Sequence, residues 1–169
     1  ASNTITDDYS DNEIYQTNLI RKFQEKYPNA KIGIVIAMTS LRKTLKNVFK
    51  SIPDLKASMV INPSESFKHK YDLLIVDEAH RLRQYKNIGW MGAFKNNNRK
   101  LGLDDSGNEL DWLIANSKNQ IFFYDSAQSI KPSDISRNHF DHLLKGENTL
   151  NIKLTSQMRV QGDDANDYI

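Results

Sequence analysis

Leu73-Leu74-Ile75-Val76 runs straight into Asp77-Glu78-Ala79-His80. An apolar run this short reads as a buried parallel strand rather than a helix. Its carboxyl end then delivers two adjacent carboxylates. Two acids at a strand end suit metal–phosphate chemistry: Asp77 can hold Mg²⁺ through the ion's water shell, and Glu78 can orient or deprotonate a water. Two further strand-like runs end in polar clusters, Ile32–Ala37 before Thr39-Ser40 and Gln120–Tyr124 before Asp125 and Gln128. His69, His139 and His142 show no metal-ligand spacing, and the zero cysteines exclude disulfides and cysteine-based zinc sites.

The elements that must position these residues alternate along the chain. Tyr15, Leu19, Phe23 and Tyr27 form an i, i+4 stripe after a Ser10/Glu13 capping box, and Pro28-Asn29 stops that helix. Thr39 or Ser40 is placed to cap a second helix with apolar residues Leu41, Leu45, Val48, Phe49 and Ile52, ended by Pro53. A short strand is expected at Met59–Ile61 and a strand at Tyr71–Val76. Residues 81–109 show no clear period and read as a long loop with at most short helical turns. A helix follows near Leu110–Asn116, packed through Trp112 and Leu113. The strand Gln120–Tyr124, a helical patch within Asp134–Lys145 closed by Gly146, and a last strand Asn151–Leu154 complete the order. Such alternation predicts an α/β three-layer domain with a mainly parallel sheet, whose functional residues gather beyond the strands' carboxyl ends.

The 169 residues suffice for one domain, and no stretch has the length and apolarity of a membrane span. The amino terminus is polar and does not read as a signal peptide; with the cysteine count this suggests a cytoplasmic protein. Net charge is only +2, yet it is unevenly spread. Residues 41–50 hold Arg42, Lys43, Lys46 and Lys50, and residues 81–100 hold Arg81, Arg83, Lys86, Lys95, Arg99 and Lys100, both without an acid. Each stretch reads either as a surface for a phosphate backbone or as a solvated face.

Four segments, in order, resemble motifs of superfamily 1 helicases. Ile36-Ala37-Met38-Thr39-Ser40-Leu41-Arg42 resembles motif Ia, Asp77-Glu78-Ala79-His80 motif II (Walker B), Phe123-Tyr124-Asp125-Ser126-Ala127-Gln128 motif III, and Leu154-Thr155-Ser156-Gln157-Met158-Arg159 motif IV. The longer wording, Met38–Leu45, Asp77–Arg83 and Gln128–Asp134, is similar to the DUF2075 family of P-loop NTPases. That resemblance implies a RecA-like domain over residues 11–169, incomplete at its amino end, with residues 1–10 a tag or unstructured lead. It implies Mg²⁺ and ATP as cofactors in the full-length parent and DNA or RNA as a partner. Asp77 would be the metal residue, Glu78 the base, Gln128 a phosphate or water contact and Arg159 an arginine finger. His80 and Asp125 would lie by the nucleotide, His80 linking motifs II and III by hydrogen bonds. Thr39, Ser40, Arg42 and Lys43 would touch the nucleic-acid backbone.

One element departs from the pattern. Phosphate binding in this class uses G-x-x-x-x-G-K-S/T, and no glycine of this chain is followed by lysine. Either the sequence starts after the P-loop, with that loop and a second motor lobe elsewhere in the polypeptide, or the loop has degenerated; truncation is the favoured expectation. Little activity is then expected of this chain. The alternatives are a non-catalytic nucleic-acid or protein interaction module on a decayed NTPase fold, and a Mg²⁺-dependent nuclease using Asp77, Glu78 and Asp125.

Overall fold

The computed structural model describes residues 11–86, 89, 91–125, 128 and 131–153. These fall into a larger unit, up to Ser136, and a smaller one from Arg137. The larger unit runs α1 (Asp11–Lys26), β1 (Ile32–Ile36), α2 (Thr39–Ser51), β2 (Val60–Ile61), β3 (Tyr71–Asp77), α3 (Met91–Lys100), α4 (Glu109–Ala115) and β4 (Ser117–Phe122). Short 3₁₀ turns occupy Ala57–Met59, Pro63–Lys68 and Ala79–Arg81. The strands form one sheet in the order β2-β1-β3-β4, every pair parallel. The expected RecA-like α/β class therefore holds. No helix among the described residues is long and apolar enough to cross a membrane.

Burial explains why the strands are aliphatic. Val35, Leu74 and Val76 are fully enclosed, and Gly33 sits among them because a Cβ there would lie 2.8 Å from Leu74 Cδ2. Near β2, α2 sets Phe49 and Leu45 against Ile34, Ile36 and Val60. Only the middle of its apolar stripe packs, since Leu41, Val48 and Ile52 stay exposed. On α1, Phe23 meets Tyr27 with ring centroids 5.0 Å apart, while Leu19 is exposed. That helix ends two residues before Pro28, as expected. Ser10 of its expected capping box lies outside the described residues.

Three expectations change. Residues 81–109 contain a ten-residue helix, α3, which propensity hides: Asn96-Asn97-Asn98 are poor helix formers. Tertiary contacts hold it instead, with Phe94 4.4 Å from the Trp112 ring and Asn98 receiving the Trp112 indole N–H at 2.6 Å. Next, β4 begins at Ser117, three residues earlier than the apolar run, because its ladder with β3 starts at Tyr71↔Ser117. Finally, Asn151–Lys153 are not strand, and Leu154 lies outside the described residues. The smaller unit contributes α5 (Arg137–Leu143), past whose end the Gly146 amide donates to the Leu143 carbonyl at 3.1 Å.

Candidate functional site

The parallel ladders bring three strand ends side by side, Ile36 opposite Asp77 and Val76 opposite Phe122. The Asp77 carboxylate is half-buried and takes part in no hydrogen bond or ion pair among the described residues. Glu78 leaves the strand with φ 51° and ψ 47°, the left-handed region that a side-chain-bearing residue adopts at a cost of about 1–2 kcal/mol. That turn folds the Glu78 carboxylate back over the following residues. Its Oε2 accepts from Arg81 Nε at 2.8 Å and lies 3.2 Å from His80 Nε2.

The His80 approach is close enough for an ion pair but not aligned as a hydrogen bond. Both imidazole nitrogens, on a residue 1% exposed, lack a hydrogen-bond partner among the described residues. His80 instead reaches the motif III segment by ring packing, edge-on to Tyr124 with centroids 6.4 Å apart. The hydrogen-bonded link between the two motifs is made by backbone: Phe123 donates to Val76 O at 2.9 Å and accepts from the Ala79 amide at 2.8 Å. Beyond it, exposed Gln128 donates through Nε2 to Asp125 Oδ2 at 2.6 Å. Arg159 and the rest of motif IV lie outside the described residues.

At the end of β1, Met38 is the residue that precedes α2, and no side chain caps the helix. Thr39 and Ser40 occupy its first turn instead. Arg42 turns toward its own strand, Nη1 donating to Ile36 O at 2.8 Å and Nη2 to Thr39 Oγ1 at 3.2 Å. Lys43 is exposed.

A buried ion pair behind motif II had no sequence signature beyond an acidic stretch. Glu109, 1% exposed, takes Arg83 Nε at 3.0 Å and Nη2 at 2.7 Å on Oε1, and the Arg83 amide at 2.8 Å on Oε2. The same short segment meets the chain downstream of motif III: Gln84 N donates to Ser133 O at 2.9 Å and Ile135 N to Leu82 O at 2.6 Å. Motif II is thus followed by a three-residue strap held from two sides. Burial raises the Glu109 carboxyl above its ordinary value, against the lowering effect of Arg83.

The donors fit a hard divalent cation only in part. Asp77 offers one unengaged carboxylate, and Glu78 and Asp125 do not join it, since the described residues contain no group of three His, Asp or Glu able to hold a metal. A dedicated nuclease centre is therefore unsupported, whereas a single carboxylate acting through a water shell suits Mg²⁺ bound mainly by phosphates. No curated protein and no solved structure matches the chain. The family model described as Schlafen group 3, DNA/RNA helicase domain matches residues 12–168. The chain accordingly belongs to that family of helicase-like domains.

Proposed function

We propose that this chain carries the metal- and water-handling half of a Mg-ATP site in a nucleic-acid-associated, helicase-like ATPase of the DUF2075 kind. Asp77 would hold Mg²⁺, which would supply charge neutralisation on phosphate oxygens. Glu78 orients the attacking water. Gln128, with Asp125 and His80, reports the phosphate end to the strap behind motif II, and Arg159 offsets charge on the transferred phosphoryl group. Thr39, Ser40, Arg42 and Lys43 lie toward the nucleic acid, and the phosphate-cradling loop comes from another segment of the parent polypeptide. A cytoplasmic setting suits a chain without cysteine.

The observation that carries this reading is the pair Asp77 and Glu78. One carboxylate is unengaged at a parallel strand's carboxyl end, and the next is held in a left-handed turn. With Glu78 tied to Arg81, little hydrolysis is expected of the chain by itself. Steady-state ATPase of the full-length parent tests it. Glu78→Gln should lower kcat by roughly 10²–10³-fold while nucleotide still binds, as loss of a water-orienting group does. Unchanged turnover would end the proposal. The missing Gly-Lys pair favours a second reading, an interaction module on a decayed NTPase fold. Salt-dependent nucleic-acid binding by the parent without any ATPase would select that one.

A further inference from the structure

Two acid-free basic stretches stand out in the sequence, and the fold treats them differently. Residues 81–100, although Lys86, Arg99 and Lys100 are in no ion pair among the described residues, are half neutralised by acids from outside the stretch: Arg81 pairs with Glu78 at 2.8 Å, Arg83 with Glu109 at 2.7 Å and Lys95 with Asp105 at 3.2 Å. The α2 stretch is not. Arg42 is turned to its own strand end, but Lys43, Lys46 and Lys50 recur at i, i+3 and i+7 and so share one side of the helix. None of the three is in an ion pair among the described residues. Glu65, the acid that feels Lys46, is itself held by Lys68 at 2.7 Å. The three lysines and Thr39 line an open groove that runs along α2 to Ala57.

We propose that this lysine groove is a docking surface for the sugar–phosphate backbone of a nucleic-acid strand. The reading rests on the nucleic-acid part of the proposed function and moves the contact from the first turn of α2 along the helix to Lys50. Its chemistry is that of phosphate, not of bases. The lining has no aromatic ring on which a base could stack and no free guanidinium fork for a base edge. Lysine point charges spaced along about 10 Å of helix attract successive phosphates whatever the sequence.

Fluorescence anisotropy of this chain with a labelled oligothymidine strand, repeated over a salt series, tests the proposal. Replacing Lys43, Lys46 and Lys50 together by Gln should weaken binding roughly tenfold or more at low salt and flatten the log K against log salt slope by about 2, near 0.7 per lost phosphate contact. Circular dichroism should show the variant folded, since these side chains take part in no ion pair among the described residues. A control with Lys95, Arg99 and Lys100 changed to Gln removes the same charge from α3 and should lose clearly less affinity and slope than the α2 variant; an equal loss would mean that net charge and not the groove sets the binding. If the wild-type chain binds and the α2 variant keeps its affinity and slope, the groove is wrong while nucleic-acid binding stands. If the wild-type chain does not bind at low salt, both fall together. Equal competition by polyglutamate at matched charge would replace the nucleic acid by an acidic peptide and overturn the assignment.

Discussion

Arg83 and Glu109 hold each other through backbone and side chain alike: Nη2 reaches Oε1 at 2.7 Å, and the Glu109 amide donates to Arg83 O at 3.0 Å. The pair closes the strap behind motif II onto the start of α4. Arg83→Ala would leave an uncompensated carboxylate in a 1% exposed site. We expect a loss of about 3 kcal/mol, the low end for a broken buried pair because Arg83 is itself half exposed. Urea unfolding measures it, and a loss below about 1 kcal/mol would mean the pair behaves like a surface one.

The same carboxyl makes stability depend on pH. Burial raises Glu109 above its ordinary 4.5, with Arg83 opposing. The folded state then holds this proton more tightly than the unfolded chain. Its contribution is full below 4.5 and is lost as pH rises through the raised folded value. Unfolding midpoints followed upward from that pH should fall in the wild type and fall less in Glu109→Gln; parallel curves would refute this.

Asp72 acts in the opposite sense. The Lys118 ammonium and then the Lys31 amide, donating at 2.8 and 2.9 Å, lower its carboxyl below 3.8. Its contribution is present above 3.8 and disappears as pH falls through the lowered value. Asp72→Asn should remove part of the acid-side loss of stability while leaving the neutral-pH spectrum unchanged.

Asn98 organises the loop between α3 and α4. It donates to Asp104 O at 2.8 Å and Gly107 O at 3.0 Å while accepting the Trp112 indole N–H at 2.6 Å. Asn98→Leu strands a buried N–H and two carbonyls, for an expected cost of about 3 kcal/mol. Gly107→Ala should also destabilise, since its Cβ would lie 2.9 Å from Asn98 Cγ. Thermal unfolding reads both, and a neutral Asn98→Leu would show that water replaces the network.

Glu78 shares one oxygen between Arg81 and the edge of His80. If Glu78 has the proposed water-orienting role and this contact restrains it, Arg81→Ala should raise the kcat of the proposed parent ATPase severalfold. Stability should change by less than about 1 kcal/mol, as for a half-exposed pair. A fall in kcat at unchanged KM would instead make Arg81 a residue that positions Glu78 for work.

Local pattern carried much of the fold. The aliphatic run before Asp77 is too short for most helices, and it is β3. The stripe from Leu41 to Phe49 lies on α2, with Ile52 just past its end, and Trp112 and Leu113 are core residues of α4, with 1% and 0% exposure. Where the sequence misled, local propensity and tertiary packing disagreed. α3 carries three consecutive asparagines, and only Phe94 and Asn98 meeting Trp112 make it a helix. The polar start of β4 is strand because β3 supplies its ladder partners.

The sequence alone determined the α/β alternation and the two acids at a strand end, since both follow from spacing between neighbours along the chain. Only the tertiary structure decided which charges remain available. Arg83 meets an acid 26 residues away, and Lys95 meets Asp105 across a turn, while Lys43 and Lys50 stay exposed on α2. Ion pairs between residues distant in sequence depend on the path by which the chain returns, and no local period encodes that path.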